Sequence, residues 1–327
     1  NPASGIRYPG SCRYKQPTTV VYMKNMDAKN NVTSDFLSGF IAIVGPPNVG
    51  KSTLLNRLLG TKVAIVTPKP QTTRNRILGI YHGDGYQMIF MDTPGIHKTR
   101  TPLHKSMVAS AQEACREVDV VMMLIEMLKP DDPDISLILR NLKEIKKPLL
   151  LIINKIDMGS REMLLPIMDE LSRRQVFDAI IPISALKGDG IESLLEELKL
   201  RLRPGPAFFP EEVKTDQSDA FLISEIIREK IYLYTKQELP YSAAVTVESI
   251  EEIPAKGLMS ISAQIHVESD SQKVILIGKR GRMIKTIGQA SRRELEKIFG
   301  THVYLDLRVR VKKNWSRDTR ALRRLGY

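Results

Sequence analysis

Hydrophobic and polar residues follow two alternating periods from Gly39 to about Arg203. Short apolar runs, such as 40–44, 118–125 and 149–153, are separated by longer stretches in which apolar residues recur every three or four positions. The runs are typical of strands buried on both faces, and the longer stretches of amphipathic helices. Strands that alternate with helices in this way predict a doubly wound α/β sheet.

One pair of strands departs from that alternation. Strands are predicted at 76–82 and 86–91, with only residues 83–85 between them. Because so short a connection suits antiparallel strands, we expect a hairpin at one edge of the sheet. The other elements predicted for this region are a helix at 101–116, a strand at 118–125, a helix at 134–145, a strand at 149–153, a helix at 161–174, a strand at 179–183 and a helix at 190–202.

A different order of elements follows the proline-rich stretch at 204–210. The pattern predicts a helix at 219–238, strands at 243–253 and 258–267, a short helix at 272–277, a long helix at 282–299 and a strand at 303–311. This α-β-β-α-α-β order indicates a separate α+β domain. The predicted organisation is an extension at 1–37, an α/β domain at 38–203, a linker at 204–217 and an α+β domain at 218–327.

Composition excludes several classes of protein. The 327 residues are 42% hydrophobic and 26% charged, and no apolar run approaches the roughly 20 residues of a membrane-spanning helix. Two cysteines, Cys12 and Cys115, are too few for a disulfide framework or a zinc site, which favours a reducing compartment. Residues 1–37 show little periodicity and no acid before Asp27, so we expect disorder there, with an organelle transit segment as the alternative.

Positive charge is concentrated near the C-terminal end. Residues 273–327 hold 16 Lys and Arg against 4 Asp and Glu, and this excess of +12 equals the net charge of the whole chain. A solvated surface is one explanation. The concentration of the charge in so short a segment favours a polyanionic partner instead.

The stretch Gly45–Ser52, G-P-P-N-V-G-K-S, lies between a predicted strand and a predicted helix. This is the context of the G-x-x-x-x-G-K-[ST] phosphate loop, in which glycines let backbone N–H groups turn towards a polyphosphate. Lys51 would contact the β- and γ-phosphates, and Ser52 would bind Mg²⁺. A glycine turn that merely joins strand and helix is the weaker interpretation, because the whole motif and both flanks match.

Further short motifs lie at the C-terminal ends of predicted strands, where open α/β sheets bind ligands. In Asp92–Gly95, the carboxylate would reach Mg²⁺ and the glycine N–H would approach the γ-phosphate. In Asn154–Asp157, the last carboxylate could accept hydrogen bonds from N1–H and the amine of guanine, which selects GTP over ATP. In Ser184–Leu186, a backbone N–H could contact guanine O6. A threonine of Gln71–Arg74 could complete the Mg²⁺ shell.

The turn Gly278–Gly281 joins two predicted helices in the basic segment. A G-x-x-G loop of this kind clamps the backbone of single-stranded nucleic acid, with bases in an adjoining apolar groove. The candidate RNA-binding residues are Gly278, Lys279, Arg280, Gly281, Lys285, Arg292, Arg293, Lys312, Lys313 and Trp315. A helix turn in an unrelated α+β domain is the alternative for the loop. For Trp315 two interpretations stay open: it stacks on a base, or it fills the domain core.

Together these motifs resemble the translation-factor class of GTPases and, over about Ser38 to Tyr327, the Era family. That family has a P-loop GTPase domain followed by a type II KH domain, with the signatures K-P-Q-T-T-R and D-T-P-G, here Lys69–Arg74 and Asp92–Gly95. The resemblance implies switch I at Val66–Ile77 and switch II at Asp92–Pro102. It also favours Thr73 as the Mg²⁺-sensing threonine, with Thr72 close behind.

The resemblance implies a full set of site residues. Lys51, Thr73 and Asn48 are the candidate catalytic residues, and Ser52, Thr73 and Asp92 the candidate metal ligands. The nucleotide-binding candidates are Gly45, Asn48, Val49, Gly50, Lys51, Ser52, Thr53, Asp92, Gly95, Asn154, Lys155, Asp157, Ser184, Ala185 and Leu186.

The resemblance also implies a function. It predicts a monomeric, cytoplasmic GTPase that uses GTP, GDP and Mg²⁺, binds the 3′ end of 16S rRNA through its KH domain, and acts in 16S rRNA processing and assembly of the 30S ribosomal subunit. One alternative is a signalling GTPase on the membrane, whose basic tail binds anionic lipid; peripheral membrane attachment is also implied as a second location. Another is an RNA-binding module with a vestigial GTPase. A tRNA-modifying GTPase is disfavoured, because no cysteine follows Cys115.

One position departs from the pattern of Ras-like enzymes. Those enzymes have a glutamine directly after D-x-x-G that orients water, and this chain has Ile96 there. We therefore expect slow intrinsic hydrolysis. In GTPases of this class, an asparagine at the position of Asn48 can help to bind K⁺ beside the phosphates, so K⁺ is a further candidate cofactor. The alternative is that Asn48 only shapes the loop.

Overall fold

A computed structural model describes residues 36–69, 72–95, 111, 113–143, 145–236, 239–318 and 322. The described residues divide into two compact units after Asp216. Nothing in this part of the chain has both the length and the apolar character of a membrane-crossing helix.

The first unit contains the predicted sheet. Its strands are β1 (Leu37–Val44), β2 (Ile77–Gly83), β3 (Tyr86–Asp92), β4 (Val120–Glu126), β5 (Leu149–Asn154), β6 (Ala179–Pro182) and β7 (Arg203–Pro204). The order is β2-β3-β1-β4-β5-β6, and β7 pairs with the start of β1. Strands β2 and β3 form the expected antiparallel hairpin, while β3, β1, β4, β5 and β6 run parallel. This confirms the predicted α/β fold.

Among the described residues, the helices with defined bounds in this unit are α1 (Lys51–Leu59), α2 (Pro133–Leu142), α3 (Arg161–Ser172) and α4 (Ile191–Lys199). Helix α2 begins after Asp132, whose side chain accepts a hydrogen bond from the N–H of Asp134. Pro133 is in the first turn, where a backbone N–H has no partner within the helix, so the absence of this group in proline costs no hydrogen bond. Strands β4 and β5 are buried almost throughout, as their continuous apolar runs predicted. Residues 113–117 are helical, and the rest of the helix predicted at 101–116 lies almost entirely outside the described residues.

Residues 205–216, most of the predicted linker, pack on the first unit. Gln87, which is buried in β3, accepts hydrogen bonds from the N–H groups of Phe208 (2.9 Å) and Phe209 (3.1 Å) and donates one to the Phe209 carbonyl (2.8 Å). Further along, the Thr215 hydroxyl donates to the Leu78 carbonyl at 2.7 Å. The segment is therefore held at its middle by the Gln87 side chain of β3 and near its end by the backbone of β2.

The second unit has the predicted α-β-β-α-α-β order with one additional short helix before its first strand. Its elements are α5 (Asp219–Tyr234), a short α6 (Leu239–Ser242), β8 (Ala244–Ile253), β9 (Leu258–Val267), α7 (Asp270–Ile277), α8 (Arg282–Phe299) and β10 (His302–Val311). In the sheet, β9 pairs antiparallel with β8 and parallel with β10. Helices α7 and α8 make the crossover that two parallel strands require.

Helix α5 ends earlier than its hydrophobic pattern predicted. The prediction extended to 238, whereas the helix ends at Tyr234. Thr235 takes an extended conformation, and both its N–H and its hydroxyl donate to the Ile231 carbonyl, at 3.0 and 2.6 Å. A side chain that satisfies a terminal carbonyl ends a helix without a glycine, and apolar periodicity does not reveal it.

Candidate functional site

The segment Gly45–Ser52, here called the phosphate loop, joins β1 to the N-terminus of α1. Gly45 has φ +155°, and a Cβ at this position would lie 2.4 Å from the Leu124 carbonyl oxygen. Gly50 has φ +101°, and its Cβ would lie 2.3 Å from Asn154 Nδ2. Both glycines are required, because a side chain would strain the backbone and collide with fixed neighbours. The last two residues of the phosphate loop, Lys51 and Ser52, are also the first two residues of α1. The loop therefore lies at a helix N-terminus, which attracts anions.

Lys51 is buried at the centre of the phosphate loop. Its Nζ donates hydrogen bonds to the carbonyl oxygens of Gly45 (3.0 Å) and Pro46 (2.8 Å). Burial lowers the pKa of Lys51 to about 8, and the nearby Asp92 carboxylate opposes that shift. A phosphate beside this amine would favour its charged form and would receive a charge-assisted hydrogen bond.

Three oxygen-bearing side chains meet next to that lysine. Ser52 Oγ lies 2.9 Å from Thr73 Oγ1 and donates to Asp92 Oδ2 at 2.6 Å. Burial raises the pKa of Asp92 to about 6, although the Lys51 charge and the two hydroxyls oppose it. The other carboxylate oxygen, Oδ1, is buried with no hydrogen-bond partner among the described residues. Hydroxyl and carboxylate oxygens with one unused acceptor fit a hard cation such as Mg²⁺.

The two candidate threonines of switch I have different environments. Thr72 Oγ1 donates to the Lys69 carbonyl (2.9 Å) and lies 2.7 Å from Thr67 Oγ1, so it stabilises the loop itself. Thr73 is buried and reaches Ser52. This geometry favours Thr73 over Thr72 as the metal-sensing residue.

Gly95 approaches the phosphate loop from β3. A Cβ on Gly95 would lie 3.1 Å from both the Cα and the N of Pro47, so no larger residue fits without a backbone shift. The loop, switch I and Gly95 surround a cavity of about 510 Å³. Its lining includes Asn48, Lys51, Ser52, Thr53, Thr73, Gly95, Glu126, Lys129 and Lys155.

The predicted base-binding residues lie together at the ends of β5 and β6. Asp157 is exposed, and its Oδ1 accepts a hydrogen bond from Ser184 Oγ at 2.6 Å. Asn154 joins two loops, because its Nδ2 donates to the Val49 carbonyl (2.7 Å) and its Oδ1 accepts the Ala185 N–H (3.0 Å). Asn154 thus connects the phosphate loop to Ser184–Leu186, here called the base loop.

The base loop contains three amides that could contact a base oxygen. The N–H of Ser184 donates to the Asp189 carbonyl at 2.9 Å, and that of Ala185 donates to Asn154. No described residue accepts a hydrogen bond from the Leu186 N–H. The Ser184 and Ala185 amides are thus engaged within the protein in this structure, and the motif as a whole remains the candidate for contact with guanine O6.

The loop Gly278–Gly281 connects α7 to α8 in the second unit. Both glycines have φ +73°, and a Cβ on Gly278 would lie 2.7 Å from Met283 Cβ. Lys279 and Arg280 are exposed at the tip, and Lys285, Arg292 and Arg293 are exposed along α8. Val274 and Ile275, on α7 beside the loop, are 70% and 52% exposed. A basic tip next to exposed apolar side chains suits a nucleic-acid backbone with bases beside it.

Trp315 corrects one interpretation of the tail. Its side chain is fully buried, and Nε1 donates to the Ser242 carbonyl at 3.0 Å. A ring in this position fills the core and cannot stack on a base, so Trp315 is removed from the candidate RNA-binding residues. Lys312 is half-buried and Lys313 is exposed beside it.

Comparison with known proteins gives a family match for each of the two units. Residues 40–155 match the family model of the 50S ribosome-binding GTPases, and residues 238–316 match that of the KH domain. GTPase Era of Syntrophus aciditrophicus is 51% identical over 292 residues, which cover 89% of this chain and 95% of that protein. GTPase Era of Geotalea uraniireducens is 50% identical over 293 residues, covering 89% and 98%.

The chain belongs to the Era family of GTPases. Two solved Era structures are similar to it with TM-scores of 0.86 and 41% identity, covering 89% of this chain and 99% of theirs. One is a variant of Aquifex aeolicus Era bound to GDP and AlF4⁻, and the other is Era in complex with MgGDPNP and nucleotides 1506–1542 of 16S ribosomal RNA. The protein is therefore a GTPase with a C-terminal KH domain.

Sequence reasoning missed two residues of this Era-family site. Glu126, at the end of β4, forms an ion pair with Lys155 at 2.7 Å. Both residues line the cavity, so this ion pair holds the Lys155 ammonium group in place there. Arg57, in α1, contacts the base loop. Neither belongs to a short motif, and each acts on a residue far away in sequence. The Ile96 position and most of switch II lie outside the described residues.

Proposed function

We propose that this protein is a GTP-hydrolysing switch that binds the 3′ end of 16S rRNA and acts in 16S rRNA processing and 30S subunit assembly in the cytoplasm. The observation that carries the proposal is the presence, in one chain, of a complete phosphate loop and an exposed basic G-x-x-G loop. The related Era structure with MgGDPNP and 16S nucleotides supports the same pairing of ligands.

In this proposal the nucleotide extends from the phosphate loop to Asp157. Lys51 and the loop amides hold the β- and γ-phosphates, and Asp157 accepts two hydrogen bonds from guanine. Ser52, Thr73 and Asp92 would hold Mg²⁺, which neutralises charge on the phosphates during transfer. The short Ser52–Asp92 contact and the unused Asp92 Oδ1 support this assignment.

Substituting Gly95→Ala is expected to slow hydrolysis more than it weakens GDP binding. The added Cβ would lie 3.1 Å from two backbone atoms of Pro47, so Gly95 could not keep its approach to the γ-phosphate. A displacement of this kind is expected to lower kcat by about tenfold or more. GDP has no γ-phosphate, so its affinity should change by less than about threefold.

Gly288→Ala is the matched control for Gly95→Ala. Its Cβ would meet Leu307 Cδ1 at an ordinary 3.5 Å, in the other unit. Single-turnover hydrolysis and fluorescent GDP titration separate the two effects. Equal kcat in the Gly95→Ala and wild-type proteins would show that Gly95 does not act on the γ-phosphate.

The proposal includes K⁺ as an activator that acts through Asn48. Asn48 has φ +62° at the cavity wall, and its Nδ2 donates to the Pro68 carbonyl of switch I at 3.1 Å. With its nitrogen so engaged, the amide oxygen is the atom that would contact a monovalent cation. We expect kcat to be about tenfold or more higher in KCl than in NaCl, because a fixed cation stabilises charge on the phosphates.

Variants at Asn48 distinguish a K⁺ ligand from a loop-shaping residue. Asn48→Ala removes the oxygen and is expected to abolish the difference between KCl and NaCl. Asn48→Asp keeps an oxygen ligand and is expected to retain a difference between the salts. If both variants lose activity equally in both salts, Asn48 acts only by holding Pro68, and the K⁺ proposal is wrong.

Crosslinking tests the proposed RNA partner in one experiment. The full-length protein is crosslinked to cellular RNA with either GDPNP or GDP bound, and the recovered RNA is sequenced. We expect fragments from the 3′ end of 16S rRNA, more abundant with GDPNP. Recovery of tRNA, or of no enriched RNA, would overturn the proposal.

A further inference from the structure

Arg57 connects α1 to the base loop through its guanidinium group. Nε donates to the Ala185 carbonyl at 3.1 Å, and Nη2 donates to the Leu186 carbonyl. Ala185 and Leu186 lie 128 and 129 positions after Arg57 in the chain. Within the part of the chain that the structure describes, Arg57 forms no ion pair. Its described polar contacts are therefore with the base loop.

An open surface groove of about 400 Å³ lies beside the Arg57 bridge. Leu186, on this groove, is 64% exposed, whereas Ala185 is buried. The groove is lined by Thr53, Asn56, Arg57, Gly60, Thr61, Lys62, Ala185 and Leu186. The two hydrogen bonds of Arg57 therefore link α1 to the base loop along this groove.

The base loop is held from its other side by the end of β5. Asn154 accepts the Ala185 N–H, and Asp157 accepts the Ser184 hydroxyl. These contacts set the loop relative to Asp157, whereas Arg57 sets it relative to α1. Since α1 begins at the phosphate loop, the Arg57 link acts together with Asn154, which also joins the two loops, to set the distance between a bound base and the phosphates.

The chemistry of arginine suits this role. Two donors on one edge of a planar guanidinium can reach the carbonyls of adjacent residues together, and the charge strengthens both bonds. A lysine offers a single ammonium without a fixed plane, so it would hold the loop less firmly.

We propose that Arg57 is a positioning residue for guanine recognition. It holds the base loop at the separation from α1 at which a backbone N–H of that loop meets guanine O6 while the phosphates occupy the phosphate loop. This inference rests on the proposed assignment of the base loop to O6.

The test compares GDP with 6-thioguanosine diphosphate. The analogue keeps N1–H and the amine that Asp157 contacts but replaces O6 with sulfur, a weak acceptor. Wild-type protein is expected to bind the analogue about tenfold more weakly than GDP. Arg57→Ala is expected to weaken GDP by about tenfold and the analogue by less than about threefold, because the contact that it disrupts is already lost in the analogue. Arg57→Lys is expected to give an intermediate loss.

Arg173→Ala is the control for removal of an exposed helical arginine. Arg173 pairs with Asp169 on α3, and its loss is expected to leave both affinities unchanged. Thermal unfolding without nucleotide checks that the Arg57 variants are folded. If Arg57→Ala does not fold, the same two affinities are measured on Arg57→Lys. Wild-type affinity for GDP in the folded variant, or equal losses for GDP and the analogue, would overturn the proposal. If wild-type protein binds both ligands equally, the O6 assignment itself is wrong, and the role of Arg57 falls with it.

Discussion

Asp157→Asn is expected to lower the affinity for GDP by about a hundredfold or more and to create binding of xanthosine diphosphate (XDP). In the proposed site the carboxylate accepts hydrogen bonds from N1–H and the amine of guanine, and loss of this charge-assisted pairing is expected to cost much of the affinity for guanine. An asparagine places an NH₂ donor where xanthine has an oxygen. Because Asp157 is exposed and held by one Ser184 hydrogen bond, the change should leave the fold intact.

Competition binding with GDP and XDP measures this exchange directly. Asp169→Asn is the matched control, since it makes the same change at an exposed aspartate on α3. The control is expected to bind GDP as the wild type does. An Asp157→Asn protein that keeps its preference for GDP over XDP would show that another residue reads the base.

The second large effect is expected at the Gly278–Gly281 loop. Replacing Lys279 and Arg280 together with glutamate is expected to weaken single-stranded RNA binding by about a hundredfold at 0.1 M salt, because each loses a phosphate contact and adds repulsion. The slope of log K against log salt should become shallower by about 1.4, the value for two lost phosphates on a single strand. GTP hydrolysis without RNA should not change.

Lys256→Glu serves as the control for charge alone. Lys256 is exposed in the turn between β8 and β9 of the same unit. Its effect is compared with that of the single substitution Lys279→Glu in the same RNA titration. If the two substitutions weaken RNA binding equally, the net charge of the unit determines affinity, and the loop has no special role.

The sequence predicted that most of the candidate nucleotide-site motifs would lie together, because each of these follows a strand of strong apolar character. Once the strands are recognised, the topology of an open α/β sheet brings their carboxyl ends together. Asp92 at the end of β3 and Asn154 at the end of β5 follow this rule. The α-β-β-α-α-β order could also be predicted from the sequence, since each of these six elements has the hydrophobic period of a helix or of a strand.

The remaining features depend on contacts between residues far apart in the chain. From the sequence, Trp315 could equally be a base-stacking or a core residue. Its complete burial and its hydrogen bond to the Ser242 carbonyl identify it as a core residue. Gln87 reads as a polar residue in a strand, yet its amide holds the backbone of 208 and 209. A single polar side chain that binds distant backbone carries no periodic signal, so Arg57 and Gln87 could not be identified from pattern.

The proposed switch couples two ligands, and coupling has a reciprocal signature. If the GTP-bound protein binds RNA more tightly than the GDP-bound protein by some factor, bound RNA must raise the preference of the protein for GTP over GDP by the same factor. Coupling energies between sites of about 1–3 kcal/mol are typical, which corresponds to roughly 5–150-fold in affinity. A vestigial GTPase attached to an independent RNA module would have a factor of one.

The most direct test is the affinity of the full-length protein for an RNA of the 16S 3′ end, measured with Mg²⁺ and either GDPNP or GDP. A scrambled RNA of the same length and composition is the control. We predict binding to the 16S sequence that is at least about fivefold tighter with GDPNP than with GDP, with no such difference for the scrambled RNA. Equal affinity in the two nucleotide states, or no preference for the 16S sequence, would contradict the account.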